Sequence, residues 1–138
     1  MTETTPPPPA VWPCLVFDDA ESTARFLVDA FGFRLTALHH GEGEQVGHVV
    51  HGELRWPPGG GVMFGSSGRD DSEFSAKPAG AASVYLVTDE PDALFERATA
   101  AGADIVRGLV DEDYGSRGFT ARDPEGNLWS FGTYRGEP

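Results

Sequence analysis

Two stretches of the chain decide its fold: VFDDAESTARFLVDAFGF at residues 16–33 and VTDEPDALFERATAAGAD at residues 87–104. Each begins with a short apolar run that ends in two acidic residues, continues as a helical pattern and closes near a glycine. The acidic pairs lie 71 positions apart, and the glycines, Gly32 and Gly102, lie 70 apart. Such a near-repeat indicates that one supersecondary unit is used twice.

The helical part of each repeat is amphipathic. In the first, apolar residues recur every three or four positions and predict a buried face formed by Ala20, Ala24, Leu27 and Phe31. The second repeats this stripe with Leu94, Ala98 and Ala101. Asp18 or Asp19 can cap the first helix, and a glycine after each helix suits the left-handed conformation that ends it. Each helix therefore needs a sheet to lie on.

Predicted strands surround each helix in the order βαβββ. Residue alternation and turn signals place them at 11–17, 33–39, 47–55 and 61–65, and then at 82–88, 104–109, 116–122 and 127–133. The turns WPPGGG (56–61) and DPEGN (123–127) separate the last two strands of each half and align at an offset of 67. The predicted fold class is therefore α+β, with two βαβββ modules.

The chain divides into four predicted segments. Residues 1–10 contain a run of prolines without hydrophobic periodicity and predict a disordered tail. The first module spans 11–65, a linker rich in serine and glycine spans 66–81, and the second module spans 82–138. A module of about 55 residues has too small a core to be comfortably stable alone. We therefore expect the two modules to form one structural domain. They can pair within one chain or across a homodimer.

Composition limits the possible partners. The 138 residues include 22 acidic and 10 basic side chains, a formal net charge of −12. This charge repels nucleic-acid phosphates and anionic lipids, so we expect no nucleic-acid or membrane partner and a preference for cationic ligands. Cys14 is the only cysteine, and no apolar stretch approaches the roughly 20 residues of a membrane span. These features favour a cytoplasmic protein.

The segment YGSRGFTARDPEGNLWSFGTY (114–134) resembles the closing hairpin of the vicinal-oxygen-chelate superfamily. That superfamily includes glyoxalase I, extradiol dioxygenases, fosfomycin-resistance enzymes and bleomycin-resistance proteins. The stretch at 16–33 is similar to the first strand and helix of the family. The resemblance implies that the two modules curl into half-barrels of mixed sheet around a cleft. Within the superfamily, the chain resembles the bleomycin-resistance-like branch. It does not by itself imply one chemistry, because one scaffold hosts several.

The resemblance also implies where a metal would bind. Metal-using members of the family place histidine or glutamate near the start of the first strand and in the last strand of each module. Carried onto this sequence, these positions hold Trp12, Met63, Ser83 and Ser130. Indole, thioether and hydroxyl groups do not replace imidazole and carboxylate ligands of a divalent metal. We therefore expect no metal and no other cofactor.

Strand alternation predicts which side chains share the cleft with those four positions. Aromatic, thiol and polar groups are expected on the same faces, and Tyr114 can reach the mouth of the cleft. The candidate ligand-binding residues are Trp12, Cys14, His51, Glu53, Met63, Ser83, Tyr85, Tyr114, Thr120 and Ser130. This mixture of aromatic and polar side chains is usual for a small-molecule site.

Two side chains of this set are candidates for acid–base chemistry. His51 and Glu53 lie two residues apart on one strand and so share a face, and imidazole titrates near neutral pH. A structural hydrogen bond is the simpler interpretation. His39, His40 and His48 lie in the same stretch, but adjacent histidines, and histidines three apart, point to opposite faces of a strand. This spacing weakens a metal site there.

We therefore expect a metal-independent protein that binds a small cationic or aromatic molecule, for example to sequester an antibiotic or toxin. The alternative is a superfamily enzyme: a metal-dependent lyase, isomerase or dioxygenase that uses other histidines, or a metal-free isomerase that uses His51 and Glu53. A structural or regulatory protein is a third hypothesis, and it predicts a cleft filled by the chain's own side chains. The bleomycin-resistance-like branch favours a homodimer.

Overall fold

The computed structural model describes residues 8–69 and 72–138, so residues 1–7 of the predicted tail and 70–71 of the predicted linker lie outside it. The first module contains β1 (Cys14–Phe17), α1 (Ala20–Phe31), β2 (Arg34–His40), β3 (Val49–Arg55) and β4 (Gly61–Ser66). The second contains β5 (Ser83–Val87), α2 (Pro91–Ala100), β6 (Asp104–Asp111), β7 (Arg117–Arg122) and β8 (Leu128–Gly132). Short 3₁₀ turns occupy Gly43–Gln45 and Glu73–Ala76.

Each module forms one mixed four-stranded sheet. The strand orders are β1-β4-β3-β2 and β5-β8-β7-β6; β1–β4 and β5–β8 are parallel pairs, and the other four pairs of described strands are antiparallel. The parallel registers match between the modules, because Cys14 pairs with Met63 as Tyr85 pairs with Ser130. The predicted α+β fold of two βαβββ modules is confirmed, with curved sheets that do not close into a barrel.

The ends of α1 follow the predicted chemistry, whereas neither Asp89 nor Glu90 caps α2 with its side chain. Asp19, rather than Asp18, caps α1 by accepting a hydrogen bond from the Ser22 N–H at 3.4 Å. Gly32 ends this helix with φ +86°, a conformation that glycine adopts without steric cost. The second helix begins at Pro91, and the Thr88 hydroxyl accepts from the N–H of the residue before that proline at 3.1 Å.

Two strands begin two or more residues later than predicted, and β6 ends at Asp111 instead of residue 109. The first strand begins at Cys14 instead of residue 11, because Pro13 has no N–H to donate to a ladder. Trp12 therefore precedes β1 and is not part of it. The third strand begins at Val49 instead of residue 47, because His48 closes the 3₁₀ turn by donating to the Gln45 carbonyl at 3.0 Å.

One hydrophobic core runs through both modules. The helices pack on one face of the two sheets and against each other, and their contact faces are buried. Phe31, at the end of α1, packs on Trp129 and Phe131 of β8 at ring-centroid distances of 6.2 and 4.7 Å. Phe33 packs on Trp129 at 5.5 Å. These contacts join the two modules of one chain.

Polar contacts join the modules at both ends of α1. The Glu125 carboxylate, in the β7–β8 turn, accepts hydrogen bonds from the backbone N–H groups of Asp18 and Asp19 and from the Thr23 hydroxyl. At the other end, Arg97 of α2 donates to the carbonyl of Asp29 at 2.9 Å. These contacts satisfy backbone groups that a helix leaves without partners at its ends. No helix in the described part of the chain is long and apolar enough to cross a membrane.

Candidate functional site

The face of each sheet turned away from the helices, which we call the open face, contains most of the predicted site residues. In the first sheet, strand pairing aligns Ala37, Glu53, Met63 and Cys14 in one row across the strands. In the second sheet, the equivalent row is Arg107, Thr120, Ser130 and Tyr85. The repeat therefore builds two related surfaces of different chemistry.

The first open face has a thioether, a thiol and an imidazole around a shallow cavity of about 170 Å³. Met63, Cys14 and His51 line it. Residues of the segment between the modules, including Arg69 and Phe74, complete the wall. Sequence reasoning missed these two residues, because the 3₁₀ turn that places Phe74 has no hydrophobic period in the sequence.

His51 and Glu53 form the predicted pair on this face. The His51 Nε2 and Glu53 Oε2 atoms lie 2.7 Å apart, and the two side chains are 40% and 26% exposed. The His39 ring stacks on the His51 ring at a centroid distance of 6.1 Å, since the two residues are partners across β2 and β3. Such a pair can transfer a proton, or the carboxylate can simply hold the imidazole in place.

The second open face is aromatic and hydroxylic. The Thr120 Oγ1 and Ser130 Oγ atoms lie 2.8 Å apart in a cavity of about 190 Å³. The Tyr85 hydroxyl donates to the Tyr134 carbonyl at 2.7 Å, and the Tyr114 ring meets the Tyr134 ring edge to face at 5.5 Å. This face offers rings for stacking beside hydroxyl groups for hydrogen bonding.

Arg107 and Glu112 of this second cavity, and Tyr134 beside it, were absent from the sequence prediction. Arg107 and Glu112 face each other at its rim, with their charged atoms 2.6 Å apart. Tyr134 fixes both neighbouring tyrosines through its carbonyl and its ring. The alternation of β6 was a usable signal for Arg107, but the irregular register of this strand hides it.

The structure separates the ten predicted residues into two groups. The cavity with Cys14, His51 and Met63 shares no lining residue with the cavity of Tyr85, Tyr114, Thr120 and Ser130. Ser83 is exposed at the start of β5. The remaining two residues, Glu53 and Trp12, lie on or beside the first open face. A cleft that contains both groups needs the two open faces to meet.

A larger cavity of about 370 Å³ lies at the seam between the modules. Phe33, Trp56 and Leu86 contribute apolar walls. The Trp56 Nε1–H donates to the Val87 carbonyl at 2.9 Å and so ties the two modules across this seam.

The donor set does not suit a family-type metal. The four positions that the resemblance assigns to metal ligands hold Trp12, Met63, Ser83 and Ser130. Within residues 8–69 and 72–138, no group of three or more histidine, cysteine, aspartate or glutamate side chains has the geometry to hold an ion. Divalent metals of this chemistry need several imidazole or carboxylate ligands.

One ion-pair cluster outside the candidate site has perturbed titration. Arg117 of β7 lies 2.8 Å from Asp92 of α2 and 3.2 Å from Asp111 of β6. Its hydrogen bond to Asp92 lowers the pKa of that carboxyl group, and the same bond raises the pKa of the guanidinium. The cluster fastens the second helix to its sheet.

Comparisons with known proteins point to one superfamily. The model of the Glyoxalase/Bleomycin resistance protein/Dioxygenase superfamily matches residues 10–131. An uncharacterized protein of Mycobacterium bovis is 33% identical over 132 residues, which cover 90% of this chain and 82% of that protein. The crystal structure of TioX from Micromonospora sp. ML1 is similar with 33% identity and a TM-score of 0.72, over 89% of this chain and 98% of that chain. A glyoxalase/bleomycin resistance protein from Streptomyces sp. CB03234 shares the fold, with 24% identity and a TM-score of 0.65 over 86% and 94% of the two chains.

Proposed function

The chain belongs to the glyoxalase/bleomycin resistance protein/dioxygenase superfamily, and from that premise we propose that it binds a small molecule on the open faces of its sheets without a metal. Members of this superfamily generally bind small molecules and are often dimeric. Sequestration of an antibiotic or a toxin is the role that needs only affinity, and it suits a protein of the bleomycin-resistance-like branch. A cytoplasmic location is part of the same proposal.

The observation that carries the proposal is the chemistry of Met63 and Ser130. They occupy equivalent registers in the last strands of the two sheets, where metal-using relatives place ligands. Met63 presents a thioether to its cavity, and the Ser130 hydroxyl is hydrogen-bonded to the Thr120 hydroxyl. These groups support contact with an organic ligand and do not support a divalent ion.

The ligand is aromatic or cationic. Exposed rings support an aromatic compound, since Tyr85 is 49% and Tyr114 63% exposed on the second open face. Rings held in this way stack on planar or sugar-like groups at little entropic cost. The net charge of −12 supports a cationic group through the long-range field alone.

The active species is a homodimer in which the first sheet of one protomer faces the second sheet of its partner. Two separate half-sites on one chain support this arrangement, because each open face has only part of the predicted residue set. The dimer predicts a solution mass of twice 14.8 kDa, which light scattering coupled to gel filtration measures. A monomer that retains ligand affinity would contradict the shared cleft.

Binding is tested by tryptophan fluorescence during titration of the protein with glycopeptide and aromatic natural products in the presence of EDTA. At least one compound should give a saturable change, and Ser130→Leu should abolish it, because leucine removes the hydrogen bond to Thr120 and fills the cavity. Ser22→Leu on the exposed face of α1 is the matched control. Equal binding by wild type and Ser130→Leu would place the ligand elsewhere.

The second candidate is an enzyme of the same superfamily, and the His51–Glu53 contact of 2.7 Å is the observation that favours it. A metal-free isomerase using this pair predicts turnover that His51→Gln abolishes while ligand affinity remains. A metal-dependent lyase, isomerase or dioxygenase predicts stoichiometric iron, manganese, nickel or zinc in the purified protein, lost in His51→Ala. Binding without turnover or metal would favour sequestration.

A further inference from the structure

The two modules differ in charge at one equivalent place. In the second module, Asp104 of β6 lies opposite Arg122 of β7, and their charged atoms form an ion pair at 3.0 Å. In the first module, the equivalent partners on β2 and β3 are Arg34 and Arg55. The repeat therefore replaces an acid–base pair by two arginines.

Two like charges directly opposite each other on neighbouring strands are destabilising. Among the residues that the structure describes, neither Arg34 nor Arg55 forms an ion pair with a carboxylate. Arg107, Arg117, Arg122 and Arg135 all do so. An uncompensated pair of arginines is unexpected in a chain with 22 acidic and 10 basic residues.

Arg55 packs against an aromatic ring, but one nitrogen of its guanidinium group has no hydrogen-bond acceptor. Its guanidinium carbon lies 5.4 Å from the centre of the Trp12 ring, and its buried Nε has no hydrogen-bond partner. Gly61, the partner of Arg55 on β4, makes room for this ring, since a Cβ there would lie 2.8 Å from Trp12 Cζ3. A buried guanidinium nitrogen without an acceptor costs free energy, so the fold keeps Arg55 at this position at some cost to stability.

We propose that Arg34 and Arg55, with Trp12 and Gly61, form a basic corner that binds the oxyanion of a small molecule, a carboxylate or a phosphate. The planar guanidinium fork matches the two oxygens of such a group. Arg55 follows His51 and Glu53 along the same face of β3, so the bound anion lies at one end of the first open face. This inference deepens the proposed function and rests on it for the remainder of the ligand.

The sign of the local charge opposes that of the whole chain. The net charge of −12 acts over distances at which salt screens it, whereas direct contact with two guanidinium groups does not depend on that range. On the same face Glu53 is the nearest acid along β3, and it is bound to His51. The corner therefore favours a ligand with an anionic group beside its aromatic part.

The test measures the rise in Tm with sodium phosphate, and separately with sodium benzoate, at constant ionic strength. Wild type should show a saturable rise with at least one of them. Arg34→Asp installs the pair found at Asp104 and Arg122, so it should raise Tm without the anion and weaken anion binding about tenfold. Arg55→Gln should weaken binding similarly, and Arg25→Ala on the exposed face of α1 should leave it unchanged.

No saturable response to either anion, or an equal response of wild type and Arg34→Asp, overturns the basic corner. A change of solution mass in Arg34→Asp with unaltered anion binding assigns the arginines to a subunit contact and also overturns it. If a natural product still binds Arg34→Asp with unchanged affinity, the proposed function stands without this inference. If phosphate or benzoate binds but no natural product does, the basic corner stands and the proposed binding of natural products does not.

Discussion

Replacement of Phe31 by alanine should destabilise the whole molecule, because this side chain joins the two modules. It is 1% exposed and packs on Phe26, Trp129 and Phe131 at centroid distances of 5.5, 6.2 and 4.7 Å. Truncation of a buried phenylalanine costs about 3–5 kcal/mol through lost transfer free energy and the cavity left behind. We place Phe31→Ala in this range, since three aromatic contacts are lost together.

The corresponding shift of Tm follows from the size of the chain. An unfolding entropy of about 2.1 cal/mol/K per residue over 138 residues converts this loss into a decrease of roughly 10–17 °C. Urea denaturation followed by fluorescence and by circular dichroism measures the free energy of unfolding directly. The two probes should give one coincident transition in wild type, because both modules share the core.

Phe74→Ala is the matched control, because Phe74 is 60% exposed and its loss should change the free energy of unfolding by less than about 0.5 kcal/mol. Hydrogen exchange adds a spatial test: in Phe31→Ala, amide protection should fall in β8 of the second module as well as in α1. A cost below about 1 kcal/mol, or loss of protection confined to the first module, would refute the shared core.

Three further changes probe other parts of the structure. Glu125→Ala should lower the free energy of unfolding by about 1–2 kcal/mol in urea, because the N-terminus of α1 loses its acceptor from the second module. Asp92→Asn should be less stable than wild type at neutral pH, and the difference should shrink as the pH falls below about 4, since Arg117 lowers the pKa of Asp92 in the folded state only; Tm measured against pH tests this sign. Gly52→Ala should cost about 1–3 kcal/mol in the same urea assay, because the new Cβ would lie 2.2 Å from the Phe64 ring; an unchanged midpoint would show that the ring moves freely.

Much of the fold is predictable from local chemistry. The helix stripes, the caps and the aligned turns at 56–61 and 123–127 depend on short-range patterns, and these patterns occur twice. The contact of Glu125 with α1 is not predictable in this way, because the sequence around Glu125 indicates only a turn. Its partner lies more than a hundred positions away, and no local pattern indicates which helix end a turn residue will reach.

The sequence predicts one cleft for the ten candidate residues, and it does not indicate that they divide between two open faces. Alternation indicates which face of the sheet Met63 and Ser130 share with their neighbours, since a shift of one residue would turn them to the helix side. The opposition of Arg34 and Arg55 was missed, because the loop between β2 and β3 is long and irregular and does not define their register. Arg69 and Phe74 of the first cavity were also missed, because the irregular segment between the modules has no pattern that places them.

The proposal of metal-independent binding is tested most directly by calorimetric titration of EDTA-treated protein with the natural-product panel. The same titration is run after incubation with manganese, nickel or zinc. We predict that at least one compound binds the metal-free protein with micromolar or tighter affinity, that added metal leaves this affinity unchanged, and that Ser130→Leu removes it. Binding or turnover that depends on one stoichiometric metal ion would contradict the proposed function.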